Sequence, residues 1–318
     1  MSAFLCVSAN PAIDKRVRLA GPFVAGKVNR AGNVERFAGG KATHVAMVLR
    51  TLGELPRWIG PCGGATGEEL KAGLAALGIS AEAVDVAGAT RTNEEVIDSA
   101  GQVTELLEPG AALSDAELEK FVKACHAIFS TGGARLTAIF SGSLPQNAPH
   151  DLFGRLVELA KKHGCTTMVD TSGKALRAAI AARPDFVKPN RDEMEALLGR
   201  TVGPNAEGCA AVRELLARGS QSAALSLGAD GLMYCGGADE AIYLAEAVPV
   251  KAASTVGCGD ASVAGFALAR ATKKSVEDML RLATACAAAN CLADSPGAAR
   301  REDIERFLRD VRVRRLDG

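Results

Sequence analysis

The chain has 318 residues, of which 48% are hydrophobic and 23% charged, so it is long enough for one large globular domain or two smaller ones. Its 37 basic and 37 acidic side chains cancel, which argues against a general affinity for nucleic acid or an anionic membrane. The first residues do not resemble a leader peptide, and no run of about 18 apolar residues is present, so we expect a cytoplasmic protein without a membrane partner.

The nine cysteines are scattered singly through apolar stretches, with no C-x-x-C pair among them. None of the four histidines stands at metal-ligand spacing to a cysteine, so the pattern predicts reduced core thiols rather than a zinc site. Cys258 differs because it lies between two glycines. A thiol there could be reactive at a helix start, or the turn could simply require a small side chain.

The first third of the chain contains a strand, helices and short extended segments. Residues 3–8 are apolar and predict a strand, and Asp14 follows shortly after it. Residues 15–38 and 84–108 have extended patterns that indicate hairpins rather than helices. Between them, Gly39-Gly40-Lys41 opens a helix that Gly53 ends. The alternating segment 96–104 predicts a hairpin in a small sheet, separate from the main one.

From Leu113 onward, strands and helices alternate as in a doubly wound α/β domain. Polar groups follow three of the strands, at 141–145, 170–173 and 188–190, so we expect a cleft at this edge of the sheet. The predicted helices are 115–126, 150–163, 174–182, 191–198, 206–218, 260–271, 275–292 and 301–313; the predicted strands are 136–140, 165–169, 186–188 and 222–226, followed by a hairpin-like region at 231–245.

The segment from Ser254 to Ser262 leads through two glycines into an alanine-rich helix. The glycines allow a tight turn, in which the amides of Gly257, Cys258 and Gly259 can point at one anion. Asp260 falls where the helix begins. A carboxylate base beside an anion hole is the arrangement that phosphoryl transfer needs, whereas the alternative interpretation is a helix cap.

Six short motifs are spread over nearly the whole chain: Asn10-Pro11-Ala12-Ile13-Asp14, Gly39-Gly40-Lys41, Ser141-Gly142-Ser143-Leu144-Pro145, Val187-Lys188-Pro189-Asn190, Ser226-Leu227-Gly228-Ala229-Asp230-Gly231 and Thr255-Val256-Gly257-Cys258-Gly259-Asp260. Together they resemble the motifs of the ribokinase-like PfkB sugar kinases and occur in the family's order. The phosphosugar branch is the most similar: 1-phosphofructokinases, tagatose-6-phosphate kinases and the minor type of 6-phosphofructokinase.

The resemblance implies an α/β fold: one ribokinase-like kinase domain, built as a three-layer α/β/α sandwich with a small β-sheet lid at about residues 15–38 and 84–108. It implies ATP and a ketohexose monophosphate as substrates, Mg²⁺ as cofactor and, as an option, a monovalent cation. A homodimer joined through the lid is expected, because a small sheet exposes an apolar face that a second lid can cover.

The same resemblance assigns roles to individual residues. Asp260 would be the general base, with the amides of Gly257, Cys258 and Gly259 as donors to the transferring group. On the sugar side, the implied residues are Asp14 for hydroxyls, Gly39 and Gly40 for close approach of the backbone, Lys27, Arg91 and Lys41 for the substrate phosphate, and Ser143 for a hydroxyl contact. On the nucleotide side they are Lys188, Asn190, Ser226, Gly228 and Gly231, with Asn190 and Glu193 near Mg²⁺.

The chain departs from the family pattern at two positions. His44 stands where phosphosugar kinases usually carry asparagine, and Ala261 replaces the common serine after the aspartate. Because an amide and an imidazole differ in their donors and acceptors, His44 bears on the choice of sugar, unless it is a core histidine without a ligand role.

Three alternative functions remain open. A kinase of a neutral sugar or nucleoside would not need Lys27 and Arg91, and a sugar- or nucleotide-binding regulator would not need Asp260. A Rossmann dehydrogenase is disfavoured, because no G-x-G-x-x-G motif follows the first strand.

Overall fold

The computed structural model describes residues 3–236, 240–251 and 254–316. Within these residues, ten strands form a main sheet and four form a separate small sheet. The order across the main sheet is β14 (Val313–Leu316), β13 (Ile242–Ala245), β12 (Leu232–Gly236), β11 (Ser222–Ser226), β10 (Phe186–Val187), β9 (Thr166–Asp170), β8 (Leu136–Ser141), β1 (Ala3–Val7), β4 (Arg57–Cys62) and β5 (Ser80–Asp85).

The small sheet combines two hairpins. Its order is β3 (Ala31–Gly39), β2 (Ala12–Leu19), β6 (Arg91–Ile97) and β7 (Val103–Leu107). The central pair, β2 and β6, is parallel, whereas both outer pairs are antiparallel. The hairpin predicted at 96–104 is confirmed as part of this sheet.

The main sheet is parallel from β5 to β11, and the strands beyond β11 are antiparallel. Its connections include α1 (Lys41–Thr51), α2 (Gly64–Ala76), α3 (Asp115–Gly132), α4 (Leu152–Lys162), α5 (Gly173–Ala181), α6 (Arg191–Leu198), α7 (Ala206–Ala217), α8 (Cys258–Ala271), α9 (Val276–Cys291) and α10 (Arg301–Phe307).

The helices cover both faces of the main sheet. Alternate residues of β1 enter different cores: Phe4 and Cys6 pack with α1, α2, α8, α9 and α10, whereas Leu5 and Val7 pack with α3 to α7. The predicted three-layer α/β/α architecture with a separate small sheet is therefore confirmed. No helix in the described ranges is long and apolar enough to cross a bilayer.

One predicted helix is wrong in its second half. The helix expected over 301–313 ends at Phe307, and Val313–Leu316 forms a strand paired with Ile242–Ala245. Pairing with the sheet edge outweighs the helical pattern of this segment.

Two further strands of the main sheet were missed. β4 carries Gly60 and Pro61, which resemble a turn in sequence, and β5 is a short edge strand in which alanine and glutamate give little β signal. Residues 84 and 85, at the start of the second range predicted for the lid, belong to β5 and therefore to the main sheet.

Candidate active site

Asp260 is held at the start of α8 by a tight turn. Gly257 adopts φ = 80°, a left-handed conformation that favours glycine, and forms the N-cap of the helix. No side chain caps α8 within the described residues, so the Asp260 carboxylate, at 5% exposure, does not serve as the cap. The interpretation of Asp260 as a helix cap is therefore wrong.

The turn does not present all three predicted amides. The Cys258 amide donates to the carbonyl of Thr255 over 3.3 Å. Among the described residues, the amides of Gly257 and Gly259 have no acceptor. These two amides are therefore free to donate to an anionic group, whereas the Cys258 amide stabilises the turn through its own hydrogen bond.

His44 joins two of the predicted acids. Its Nδ1 lies 2.8 Å from Asp260 Oδ2, and its Nε2 lies 2.8 Å from Asp14 Oδ2. Burial alone would lower the pKa of His44, but the hydrogen bonds and charges of Asp14 and Asp260 outweigh it and raise that pKa to about 10. The side chain whose role the sequence left open thus bridges the predicted base and the predicted sugar-binding carboxylate.

Asp14 lies near the start of β2 in the small sheet, and its side chain is largely buried. Burial would raise its pKa, yet hydrogen bonds from His44, Asn93 and the Gly40 amide keep that pKa below its usual value. Asn93 Nδ2 donates to Asp14 Oδ1 over 3.2 Å, and the Gly40 amide approaches Oδ2 at 3.4 Å. A Cβ at Gly39 would overlap the carboxylate, so the space beside Asp14 exists because position 39 is glycine.

Asn93 was not among the site residues predicted from the sequence. It lies on β6, and its Oδ1 is buried without a hydrogen-bond partner among the described residues. The only available signal was its place in an extended segment before a hairpin, which does not distinguish a ligand-binding amide from a surface one.

A second charged cluster lies at the carboxyl ends of β9 and β10. Lys41 Nζ is 3.4 Å from Glu193 Oε1 and 4.0 Å from Asp170 Oδ2, and Lys188 Nζ is 3.5 Å from Asp170 Oδ1. Asp170, with further help from Glu193 and Asp260, raises the pKa of Lys41 well above its ordinary value despite burial. Lys41, predicted on the sugar side, therefore contacts Glu193, predicted on the metal side.

Lys188 connects this cluster to the turn of α8. Both Lys188 and Asp170 are 2% exposed, and a Cβ at Gly259 would lie 3.4 Å from Lys188 Nζ. A buried ammonium group is thus next to the backbone that precedes Asp260. Asp170 follows a predicted strand, and that polar strand end was the signal that could have added it to the site.

The remaining nucleotide-side candidates form a continuous edge. Asn190 caps α6 in a reciprocal pair with Glu193: Asn190 Oδ1 accepts from the Glu193 amide at 2.8 Å, and Glu193 Oε2 accepts from the Asn190 amide at 2.9 Å. Asn190 also forms a parallel bridge with Ser226. Gly228 and Gly231 follow in a turn, and a Cβ at Gly228 would meet open space.

Three candidates lie apart from these contacts. Lys27 is exposed in the loop between β2 and β3, and its side chain makes no hydrogen bond or ion pair within the described residues. Arg91 donates to the carbonyl of Glu108 at 2.8 Å while its Nε is buried without a described partner, and burial lowers its pKa. Ser143 Oγ accepts from Asn10 Nδ2 at 3.2 Å.

The acids near Lys41 suit a metal that arrives with phosphates. The described residues hold no cluster of three or more His, Cys, Asp or Glu side chains that would bind a metal alone. Mg²⁺ usually takes one or two carboxylates and completes its shell with substrate phosphates and water. Asp170 Oδ1 is buried without a hydrogen-bond partner among the described residues, and Glu193 faces the same Lys41 ammonium group, so these two carboxylates fit such a site.

The arrangement can move a proton and stabilise an anion at the same place. A carboxylate at a helix start can accept a hydroxyl proton, while free backbone amides and the Lys41 and Lys188 ammonium groups face negative charge that develops nearby. These are the requirements for transferring a phosphoryl group to an alcohol.

Comparison with known proteins agrees with this chemistry. The chain is 37% identical over 280 residues to the 1-phosphofructokinase of Rhodobacter capsulatus, covering 88% of this chain and 87% of that one. It is 27% identical over 310 residues to that of Bacillus subtilis, covering 98% and 99%. Phosphofructokinase-2 from Escherichia coli, solved in complex with potassium, superposes with a TM-score of 0.90 at 28% identity, covering 98% and 99%. Its complex with fructose-6-phosphate gives 0.88 at 27% identity, with the same coverage.

The family model described as pfkB family carbohydrate kinase matches residues 8–302. This range contains both charged clusters and the turn before Asp260, and the relatives named above are phosphofructokinases, which transfer a phosphoryl group to an alcohol. The resemblance seen in the six sequence motifs is therefore confirmed, and the chain belongs to the pfkB family of carbohydrate kinases.

Proposed function

We propose that this enzyme transfers the γ-phosphoryl group of ATP to a ketohexose monophosphate and forms the bisphosphate, with Asp260 as general base. The observation that carries the proposal is the chain of contacts from Asp14 through His44 to Asp260, with each of the two distances 2.8 Å. With one hydroxyl held by Asp14, another hydroxyl of the same sugar would reach the buried Asp260 carboxylate, which can accept its proton.

Arg91 and Lys27 are the groups we assign to the substrate phosphate. Arg91 has a buried Nε without a described partner, and Lys27 keeps an uncommitted ammonium group in the loop between β2 and β3. The names of the relatives support fructose 6-phosphate and fructose 1-phosphate as substrates to test first, with tagatose 6-phosphate as a third. An arginine fork and a flexible lysine suit a phosphate dianion.

ATP and Mg²⁺ are assigned to the opposite side of Asp260. The edge formed by Asn190, Ser226 and the open turn at Gly228 and Gly231 would receive the nucleotide, and Lys188 would approach its phosphates. Asp170 and Glu193 would hold Mg²⁺, which neutralises phosphate charge when bound. Asn190 would contribute to the metal side through its pairing with Glu193. A monovalent cation is a further proposed cofactor, supported by the potassium in the related structure.

We place the enzyme in the cytoplasm as a homodimer. All nine cysteines are free thiols, which suits a reducing compartment that also supplies ATP. The small sheet exposes Val34 and Leu106 on one of its faces, at 46% and 57% exposure, and a second small sheet would cover them.

The deciding experiment is a coupled assay of the purified enzyme with ATP and Mg²⁺ against six acceptors: the three phosphosugars named above, the neutral ketoses fructose and tagatose, and adenosine. We expect turnover with at least one phosphosugar and little with the neutral acceptors. Turnover of neutral acceptors alone would replace the proposal by a sugar or nucleoside kinase, in which neutralising Lys27 and Arg91 leaves activity nearly intact. Binding without any turnover would favour a regulator.

A further inference from the structure

His44 occupies a position where the number of protons is fixed by its partners. Each ring nitrogen faces a carboxylate oxygen at 2.8 Å, and ionised carboxylates can only accept hydrogen bonds. A neutral imidazole has one N–H, so its second nitrogen would point a lone pair at an acceptor. Both contacts are satisfied together only when both nitrogens carry protons, which makes the ring an imidazolium.

The charges around the ring agree with this state. Asp14 on β2 and Asp260 on α8 are the nearest groups, and Glu105 on β7 adds a more distant negative charge. The opposing cations are Lys41, on the same helix as His44, and Arg91 on β6. The side chain is 5% exposed, so water does little to screen these charges. The two contacting acids outweigh the cations and the burial, and they hold the proton on the ring.

We propose that His44 is a positioning residue that, as a doubly protonated imidazolium, clamps the Asp14 and Asp260 carboxylates in one fixed geometry. This inference rests on the proposed function for its catalytic meaning, because it sets the sugar-holding carboxylate and the base at a constant separation. Oδ2 of Asp260 is used by the clamp, whereas Oδ1 has no hydrogen-bond partner among the described residues. Oδ1 is therefore the oxygen that accepts the proton of the substrate hydroxyl.

An asparagine at position 44 cannot build the same clamp. Both N–H groups of the asparagine amide are on a single nitrogen. If that nitrogen donates to one carboxylate, the carbonyl oxygen faces the other carboxylate, and two acceptors cannot form a hydrogen bond. Imidazolium instead presents its donors on opposite sides of a rigid ring, which matches acids that approach from β2 and α8. Histidine at this position therefore places a cation between two anions and gives the clamp a titratable proton.

The direct test is the protonation state of His44 in the wild-type enzyme without substrate, measured by ¹⁵N NMR with ¹⁵N-labelled histidine. Subtractive spectra of His126→Asn, His150→Asn and His163→Asn assign the other three histidines and leave His44 by difference. We expect both His44 nitrogens to be protonated at pH 8. A spectrum with one unprotonated His44 nitrogen at pH 8 would overturn the clamp. The measurement needs no kinase activity, so it stands apart from the substrate assignment.

The kinetic test compares the pH profiles of kcat for wild type, His44→Asn and His44→Gln. We expect the wild-type profile to lose activity above about pH 9 as the ring deprotonates, and both variants to lack that limb. We also expect kcat at pH 7.5 to fall about tenfold or more in both variants, since the base loses its fixed orientation. An alkaline limb that persists unchanged in both variants would remove His44 as its source and overturn the positioning role.

Discussion

Glu95 of the small sheet accepts a hydrogen bond from the Ser254 hydroxyl over 2.8 Å, directly before the turn that leads to Asp260. The same carboxylate pairs with Arg16 on β2 at 2.6 Å, and the Arg16 and Glu95 side chains are 2% and 10% exposed. Ser254 Oγ also accepts from the Val256 amide at 3.1 Å. One series of buried polar contacts thus connects the small sheet to the turn of α8. A displacement of the sheet would therefore change the position of the turn.

We expect Glu95→Gln to destabilise the protein much more than Glu94→Gln. The substitution at 95 leaves the Arg16 cation buried without its counter-charge, which we expect to cost at least about 2 kcal/mol of unfolding free energy. The neighbouring pair between Lys15 and Glu94 joins the same two strands at 2.7 Å but is 31% and 36% exposed, so its loss should cost less than about 1 kcal/mol. Urea denaturation of both variants measures the difference, and equal losses would contradict the structural role of the buried pair.

Local motifs could be predicted from the sequence, whereas the contacts between them could not. Glycines before a helical pattern located the starts of α1 and α8, and with them Lys41 and Asp260. His44 and Asp260, however, are 216 positions apart, and nothing local indicates that they meet. Arg16 and Glu95 are 79 positions apart on two extended segments, and their contact follows only from the register of the two strands. The strand Val313–Leu316 was missed for the same reason, because its partner strand defines it.

Gly39→Ala should weaken sugar binding selectively. A Cβ at this position would overlap the Asp14 carboxylate and displace it from His44 and Asn93, so we expect KM for the sugar to rise at least about tenfold, with KM for ATP little changed. Gly32→Ala is the matched control, since it lies on the same strand and its nearest neighbour would be 3.6 Å away. Steady-state kinetics of both variants decide the point. An unchanged KM for the sugar in Gly39→Ala would show that Asp14 does not take part in sugar binding.

The clamp also predicts how stability depends on pH. The pKa of His44 is raised from 6.5 to about 10 on folding, so its stabilisation is complete below about pH 6.5 and is lost as the pH rises through about 10. Between about pH 7 and 9 the folded state holds one proton more than the unfolded state at this site. The unfolding free energy of wild type, relative to His44→Asn, should therefore fall by about 1.4 kcal/mol per pH unit.

Urea unfolding of both proteins at several pH values gives that difference, in which titrating groups remote from position 44 cancel. A difference that stays flat across this range would show that His44 does not gain its proton on folding.

Asp260→Asn should abolish turnover while leaving ligand binding intact. The amide keeps the size of the carboxylate but cannot accept the hydroxyl proton, so we expect kcat to fall by about 10² to 10⁴-fold. Nucleotide affinity, measured by calorimetry, should change little because the nucleotide-side residues are untouched. Asp303→Asn provides a control, since Asp303 is equally buried on α10 and pairs with Arg300 and Arg306 outside the site. Comparable turnover of wild type and Asp260→Asn would remove Asp260 as base.

Two neighbouring thiols lie where the start of α8 meets the end of α9. Cys258 Sγ lies 2.8 Å from Cys291 Sγ at the end of α9, and both side chains are partly exposed. The hydrogen bond between them raises the pKa of Cys258 and lowers that of Cys291, so Cys291 is the stronger candidate for a thiolate. Hydrogen peroxide should oxidise the Cys291 thiolate to a sulfenic acid. The Cys258 thiol then attacks the Cys291 sulfur and displaces its hydroxyl group as water, which forms the disulfide.

We expect this disulfide to lower kcat reversibly. An S–S bond of about 2.05 Å must draw the two sulfurs together and so shift the backbone between the free amides of Gly257 and Gly259. Peptide mapping of peroxide-treated enzyme should show the 258–291 cross-link, and dithiothreitol should restore activity. Cys291→Ser should keep its activity under the same treatment, whereas Cys209→Ser, at a partly exposed thiol on α7, should lose it as wild type does. Inactivation of Cys291→Ser at the wild-type rate would exclude the pair as the oxidation-sensitive element.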